Sequence, residues 1–219
     1  AGLPVEVGFL NFDDVLSGKL SDYDVMINAG QEDDAWSGGN GWQNPDLQAE
    51  VTRFVYEGGS LIGVGEPSST QGLPTRFALA GILGVDQDRG EYACHAPWMF
   101  ETEKEGPIPA YQGLKPAEGI RLLSPDVKVL QASGTVPVVT LNTFGRGKAL
   151  YLADFSYSPE NARTLLETLL YLTGKDGRTA GISDSAMVET AWFPTSETLV
   201  VMNASDQAVD SVIRYPKGE

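Results

Sequence analysis

Between Tyr23 and Gly65 a short apolar run, a long polar loop, a punctuated amphipathic helix and a second apolar run follow one another, and this order restricts the fold more than any other stretch. Tyr23-Asp24-Val25-Met26-Ile27-Asn28 reads as a buried strand. Asn44 can cap the helix that follows, Pro45 suits its first position, Asp46 favours the positive end of its dipole, and Gly58-Gly59 stop it. Leu47, Val51, Phe54 and Val55 recur at helical spacing and form its inner face. Ser60-Leu61-Ile62-Gly63-Val64-Gly65 is then a second strand, closed by Glu66-Pro67-Ser68-Ser69. A strand, a crossover helix and a strand imply a right-handed connection and a parallel pair. The loops 29–43 and 66–72 therefore belong to one edge of the sheet, at the carboxyl ends of the strands, where α/β sheets take their ligands.

The first of these loops, Ala29 to Gln43, carries Glu32, Asp33, Asp34, Trp36 and Trp42. Exposed indoles beside carboxylates and amides suit a sugar, whose C–H faces stack on rings while its hydroxyls bond to polar groups. The competing reading buries both tryptophans as satellite core and leaves the acids as a solvated rim. Gln31, Asp33, Trp36, Ser37, Trp42 and, on the second loop, Glu66 are the candidate substrate-facing or docking residues.

Around this unit the pattern is α/β. Val5 to Phe12 alternates and reads as a strand, and Asp13 to Gly18 as a turn or short helix. Pro74 to Leu83 predicts a helix with Phe77, Ala80 and Leu83 inward and Gly84 as its stop. Asp86 to Gly119 is broken by prolines and reads as an excursion from the sheet. Arg121 to Gln131 and Val136 to Asn142 restore regular structure, the latter paired in hairpin fashion with Ala149 to Phe155. Ser158-Pro159-Glu160 opens a last helix, with Leu165, Leu166, Leu169, Leu170 and Leu172 on its apolar face before Gly174. Beyond Lys175 the helices stop, and Ala186–Trp192, Leu199–Asn203 and Val209–Tyr215 read as short strands. The expectation is a three-layer α/β domain with a mostly parallel sheet over residues 1–175, lacking its first strand, and the beginning of a β-sandwich-like domain over 183–219. A doubly wound sheet normally opens with a strand and helix ahead of the piece seen here, so the chain is expected to come from a larger protein.

Composition narrows the function classes. Thirty acidic against fifteen basic residues give a net charge of −15, which opposes binding to nucleic acid or an anionic membrane. No apolar run approaches the roughly eighteen residues that span a bilayer, and no basic-then-apolar leader opens the sequence. Cys94 is the only cysteine and His95 the only histidine, so neither an internal disulfide nor a zinc site is expected, and the cytoplasm is the expected compartment.

A complete active site does not assemble. The turn where a sheet of this kind carries a nucleophile reads Gly63-Val64-Gly65-Glu66-Pro67-Ser68, with no cysteine and with serine displaced past a proline. Cys94 and His95 are adjacent, so on extended backbone their side chains diverge. Neighbouring carboxylates in a glycine-rich loop lack the fixed separation that glycosidic chemistry needs. Gly38-Gly39-Asn40-Gly41 has no lysine after it to hold phosphate. No cofactor, metal or catalytic residue is expected from these residues.

Several segments together resemble the galacto-N-biose/lacto-N-biose phosphorylase family: Phe9-Leu10-Asn11-Phe12-Asp13-Asp14-Val15, Val25-Met26-Ile27-Asn28-Ala29-Gly30 with Ala35-Trp36-Ser37-Gly38-Gly39, Phe54-Val55-Tyr56-Glu57-Gly58-Gly59, Ile62-Gly63-Val64-Gly65-Glu66-Pro67, and Leu83-Gly84-Val85-Asp86. The resemblance implies a flavodoxin-like central domain similar to a class I glutamine amidotransferase with its nucleophile lost. It further implies a parent enzyme that cleaves a β-galactosyl linkage to N-acetylhexosamine, or to rhamnose, with inorganic phosphate, giving α-galactose 1-phosphate without a metal. In that family the general acid and most sugar contacts lie in an amino-terminal (β/α)₈ barrel, so the expected partners of this part are that barrel, sugar and phosphate, and further copies in a homo-oligomer. Two other readings are a sugar-binding or oligomerisation module of a β-galactosidase-like enzyme and an amidotransferase-like hydrolase working through Cys94.

Overall fold

The computed structural model describes residues 5–31, 34, 37–88, 99–175 and 182–213. The chain resolves into two compact units, Phe9–Ser156 and a second made of Ala1–Gly8 with Tyr157–Glu219.

The larger unit opens with helix α1 (Phe12–Leu16), closed at its start by a reciprocal cap in which Asn11 and Asp14 each accept the other's backbone N–H. Strand β1 (Val25–Gly30) leads through the polar loop and a 3₁₀ turn, Gly39–Gln43, into α2 (Pro45–Tyr56). The Asn44 side chain accepts the Asp46 N–H at 2.9 Å, as the sequence predicts for a cap. Strand β2 (Ser60–Gly65) follows, parallel to β1 in unbroken register from Val25 opposite Ser60 to Gly30 opposite Gly65. Leu47, Val51 and Val55 of α2 and Leu61 and Ile62 of β2 are wholly buried, which makes this crossover the centre of the core.

After α3 (Ala80–Leu83), strand β3 (Val85–Gln87) pairs antiparallel with β4 (Ile120–Leu122) and closes the base of the excursion between them. Strands β5 (Lys128–Ser133), β6 (Val136–Phe144) and β7 (Gly147–Leu152) complete a five-stranded sheet in the order β1-β2-β7-β6-β5. β7 runs parallel to β2, and β6 runs antiparallel to both of its neighbours, so four of the five strands share one direction. Gly147 begins β7 because nothing larger fits: a Cβ there would meet the backbone carbonyls of Gly59 and Val55.

In the second unit α4 (Pro159–Thr173) is capped by Ser158, whose hydroxyl accepts the Asn161 N–H at 3.1 Å, and it ends on Gly174 at φ 67°. Strands β8 (Val188–Phe193) and β9 (Thr198–Asn203) form an antiparallel pair. Asp184 fastens the chain beside them by accepting the Ser211 hydroxyl and the Val212 N–H, both at 2.8 Å, and these bonds hold its carboxyl below the usual range.

Four expectations change. Residues 5–11 form no strand, and Val5, Val7 and Phe9 are exposed; alternation supplies propensity, but a ladder needs a partner, and none stands beside them among the described residues. The helix predicted over Pro74 to Leu83 shrinks to α3, because the backbone before it is committed elsewhere: Thr70 N–H donates to the Arg76 carbonyl, Ala78 N–H to Ser68, and Phe77 N–H to the buried Asp86 carboxylate at 3.0 Å. Phe77, Ala80 and Leu83 are buried all the same. The buried face of α4 consists of Asn161, Ala162, Thr164, Leu166, Thr168 and Leu172, while Leu165, Leu169 and Leu170 are half-buried. The strand read from Val209 reduces, within the described residues, to one bridge from Ile213 to Ser183.

Candidate functional site

The carboxyl ends of β1 and β2 bring their loops together as the crossover requires. Gly65 makes the junction tight: it sits at φ 75°, and a Cβ would stand 2.6 Å from the Gly30 carbonyl, to which Glu66 donates its N–H at 2.8 Å.

Asn28, the last residue of the apolar run, is the pin between the two loops. It is buried; its amide nitrogen donates to the Ser37 carbonyl at 3.3 Å and its oxygen accepts the Ser68 N–H at 2.6 Å. Buried polar groups are costly unless paired, and here a single side chain pairs one backbone group from each loop. A polar residue ending an apolar strand was the only sign of this role in the sequence.

The first loop is closed largely on itself. The Asp34 carboxylate accepts the N–H groups of Gln31 at 2.8 Å and Ser37 at 2.6 Å, and the Ser37 hydroxyl donates to the Gln31 carbonyl at 2.5 Å. Trp42 is fully buried, donates its indole N–H to the Ser37 carbonyl, and meets the Phe12 ring edge-on at 5.3 Å. Of the two readings open for Trp42, the buried one holds, and the ring has no free face to offer a sugar. Ser37 is likewise buried and bonded, so both residues shape the loop from within. Gln31 is exposed and Glu66 half-buried at the same edge. Gln43 ties the loops again through its amide, which donates to the Gln71 carbonyl at 3.0 Å. Asp33 and Trp36 lie outside the described residues, as do Glu32, Cys94 and His95.

The turn after β2 runs through Glu66-Pro67-Ser68-Ser69 into irregular backbone that lasts until α3. Ser68 adopts φ 51°, a left-handed conformation unusual for a residue with a side chain. It is fully buried, its hydroxyl accepts the Leu79 N–H at 3.0 Å, and its carbonyl accepts the Ala78 N–H at 2.9 Å. An attacking oxygen needs access and a base within reach; Ser68 has no access, and among the described residues no side-chain base bonds to it. Beneath the corner Tyr151 of β7, also buried, donates to the Gly65 carbonyl at 3.2 Å. Burial, and secondarily the negative charge of Glu66, push its phenol well above the ordinary range. Neither Tyr151 nor Ser68 was singled out by its sequence context as a member of the site. Among the described residues no group of three or more His, Cys, Asp or Glu is placed to hold a metal ion, and no helix is long and apolar enough to cross a membrane.

The relatives of this chain carry the same segment inside longer proteins. The chain is 39% identical over 214 residues to the D-galactosyl-beta-1->4-L-rhamnose phosphorylase of Lachnoclostridium phytofermentans, an alignment covering 97% of this chain and 30% of that protein. It is 32% identical over 257 residues to the 1,3-beta-galactosyl-N-acetylhexosamine phosphorylase of Bifidobacterium longum subsp. longum, covering 100% of this chain and 34% of that protein. Among solved structures it is similar to a beta-galactosidase from the Antarctic haloarchaeon Halorubrum lacusprofundi, with 15% identity, a TM-score of 0.49, and coverage of 91% of this chain and 31% of that one. The chain thus spans about a third of the length of the curated relatives it matches. The family model of the lacto-N-biose phosphorylase central domain matches residues 1–177, and the chain belongs to that family.

Proposed function

We propose that this chain is the noncatalytic central part of an inverting sugar phosphorylase. The parent enzyme cleaves a β-galactosyl linkage to N-acetylhexosamine, or to a related acceptor such as rhamnose, with inorganic phosphate, and releases α-galactose 1-phosphate. Catalysis belongs to an amino-terminal barrel, and this domain, glutamine amidotransferase-like in fold, serves assembly and closes the barrel's active site from the edge that carries Gln31, Gln43 and Glu66. The cytoplasm and a homo-oligomeric state complete this reading.

The observation that carries the proposal is the buried serine of the turn after β2. The residue at the strained turn after β2 is a serine with no exposure, its hydroxyl held by a backbone N–H. A domain that keeps this backbone geometry while burying its oxygen has a structural use for the turn: Ser68 anchors Leu79 and, through Asn28, the first loop.

Phosphate consumption and galactose 1-phosphate formation measured with the purified 219-residue chain give the test. With galactosyl-β-1,3-N-acetylglucosamine or galactosyl-β-1,4-rhamnose as substrate, the chain shows no phosphorolysis, whereas the longer polypeptide that contains these residues turns over one of the two. Turnover by the 219 residues alone would overturn the assignment of catalysis to another domain.

A further inference from the structure

We infer that Asp34 is a positioning residue for phosphorolysis: through the peptide between Gly30 and Gln31 it holds the Gln31 carboxamide against a hydroxyl of the bound disaccharide. The inference rests on the functional reading above, in which this edge closes the active site of the parent enzyme.

The peptide between Gly30 and Gln31 is bonded on both sides. Its carbonyl accepts the Glu66 N–H at 2.8 Å, and its N–H donates to one oxygen of the Asp34 carboxylate, also at 2.8 Å. With both polar groups engaged, that peptide plane cannot turn without breaking a charge-assisted hydrogen bond. The other carboxylate oxygen accepts the Ser37 N–H at 2.6 Å, and the Ser37 carbonyl in turn receives the Asn28 amide and the Trp42 indole. Asp34 therefore ties the exposed start of the loop to its buried anchor.

The arrangement requires glycine at position 30. Gly30 sits at φ 138°, and a Cβ there would lie 2.5 Å and 2.6 Å from the Asp34 carboxylate oxygens. The carboxylate thus occupies the space that a side chain would fill. Gly30 at φ 138°, Gly65 at φ 75° and Ser68 at φ 51° gather uncommon backbone at the carboxyl ends of β1 and β2. Such conformations persist where their surroundings over-determine them, and they cluster at ligand clamps and active sites. This is also the edge at which α/β sheets take their ligands.

Gln31 is what the fixed peptide presents. It is exposed and follows the held plane directly, so only its side-chain torsions remain to be ordered when a ligand binds, which lowers the cost of binding. A carboxamide both donates and accepts, and so does a sugar hydroxyl. Phosphate suits the position less, because Glu66, bonded to the same peptide, brings a negative charge to the edge. Asparagine cannot replace Asp34: it has a single acceptor oxygen, and its NH₂ would face the N–H of Gln31 or of Ser37, donor against donor.

Steady-state kinetics of the longer polypeptide that contains these residues, with Asp34→Asn, Gln31→Ala and the double variant, test the inference. Each single variant should raise KM for the disaccharide at least about fivefold, with kcat changed by less than about twofold and KM for phosphate unmoved, as for the loss of a binding contact. The double variant should do no worse than the poorer single one, since Asp34 acts through Gln31. In the 219-residue chain, Asp34→Asn should speed hydrogen–deuterium exchange at the Gln31 and Ser37 amides at least about fivefold, whereas Gln31→Ala, which leaves the bonded backbone in place, should not. An unchanged disaccharide KM in Gln31→Ala would overturn the inference even where Asp34→Asn fails to fold. Losses that add in the double variant, or a rise confined to the KM for phosphate, would overturn it as well. A wild-type longer polypeptide without phosphorolysis counts against the functional reading and the sugar contact together, while exchange still decides whether Asp34 holds Gln31.

Discussion

Tyr151 lies where the sheet's core meets the loop edge, and its chemistry links stability to pH. The phenol is buried, bonded to the Gly65 carbonyl and near the Glu66 carboxylate, so the folded protein holds its proton above the ordinary value of 10.0. A raised folded pKa means that the native state binds more protons than the unfolded state once the pH passes the unfolded value. Stability from this group is therefore complete below about pH 10 and is lost as pH rises towards the folded value, by about 1.4 kcal/mol per unit. Urea unfolding between pH 9 and 11 should show that decline, and Tyr151→Phe should remove it. The variant should also start about 1 kcal/mol less stable at neutral pH, for the lost hydrogen bond. An identical decline in the Phe variant would place the effect on other groups.

At the scale of elements, the sequence is most informative where the determinants are local. α2 could be read because its cap, its proline and its closing glycines all act within a turn of the helix ends. The stretch before α3 could not, since its backbone bonds go to Asp86 and to the Ser68–Thr70 segment, partners that no helical period announces. Trp42 is open to two readings in the sequence for a similar reason: an indole serves equally as sugar platform or core, and only the contacts with Ser37 and Phe12 decide. The packing of α2 over the start of β7 makes a sharp prediction. Gly147→Ala would force a Cβ against the carbonyls of Val55 at the helix end and of Gly59 just beyond it, atoms that no rotamer change can move. A loss of about 1–3 kcal/mol or more is expected from such overpacking. Gly134→Ala, in a turn with no heavy atom within 4 Å of the added Cβ but with φ 62°, should cost about 1–2 kcal/mol, from backbone strain alone. Chemical denaturation of the two variants separates these causes, and a Gly147→Ala protein as stable as the parent would contradict the close approach of α2 and β7.

For the molecule as a whole, charge is the property that sequence states outright and that folding does not cancel. Thirty acidic residues face fifteen basic ones. Lys19–Asp14, Arg53–Glu50 and Arg163–Glu167 are ion pairs with exposed or half-exposed partners, whereas Arg121–Asp86, at 3.6 Å, has both side chains largely buried. Exposed pairs contribute about 0–1 kcal/mol each, while the surplus acids repel one another across the whole surface. Salt weakens both terms, but screening at a Debye length of about 8 Å near 0.15 M acts most on separated surface charges. The repulsion therefore loses more than the pairs do, and folding should tighten as salt is added. Raising sodium chloride from about 10 mM to 150 mM should increase stability by about 1 kcal/mol, a shift of about 2–4 °C in Tm for a chain of this size. Potassium chloride at equal ionic strength should give the same rise, because screening depends on ionic strength alone; a fall in Tm with either salt would show that the ion pairs outweigh the repulsion.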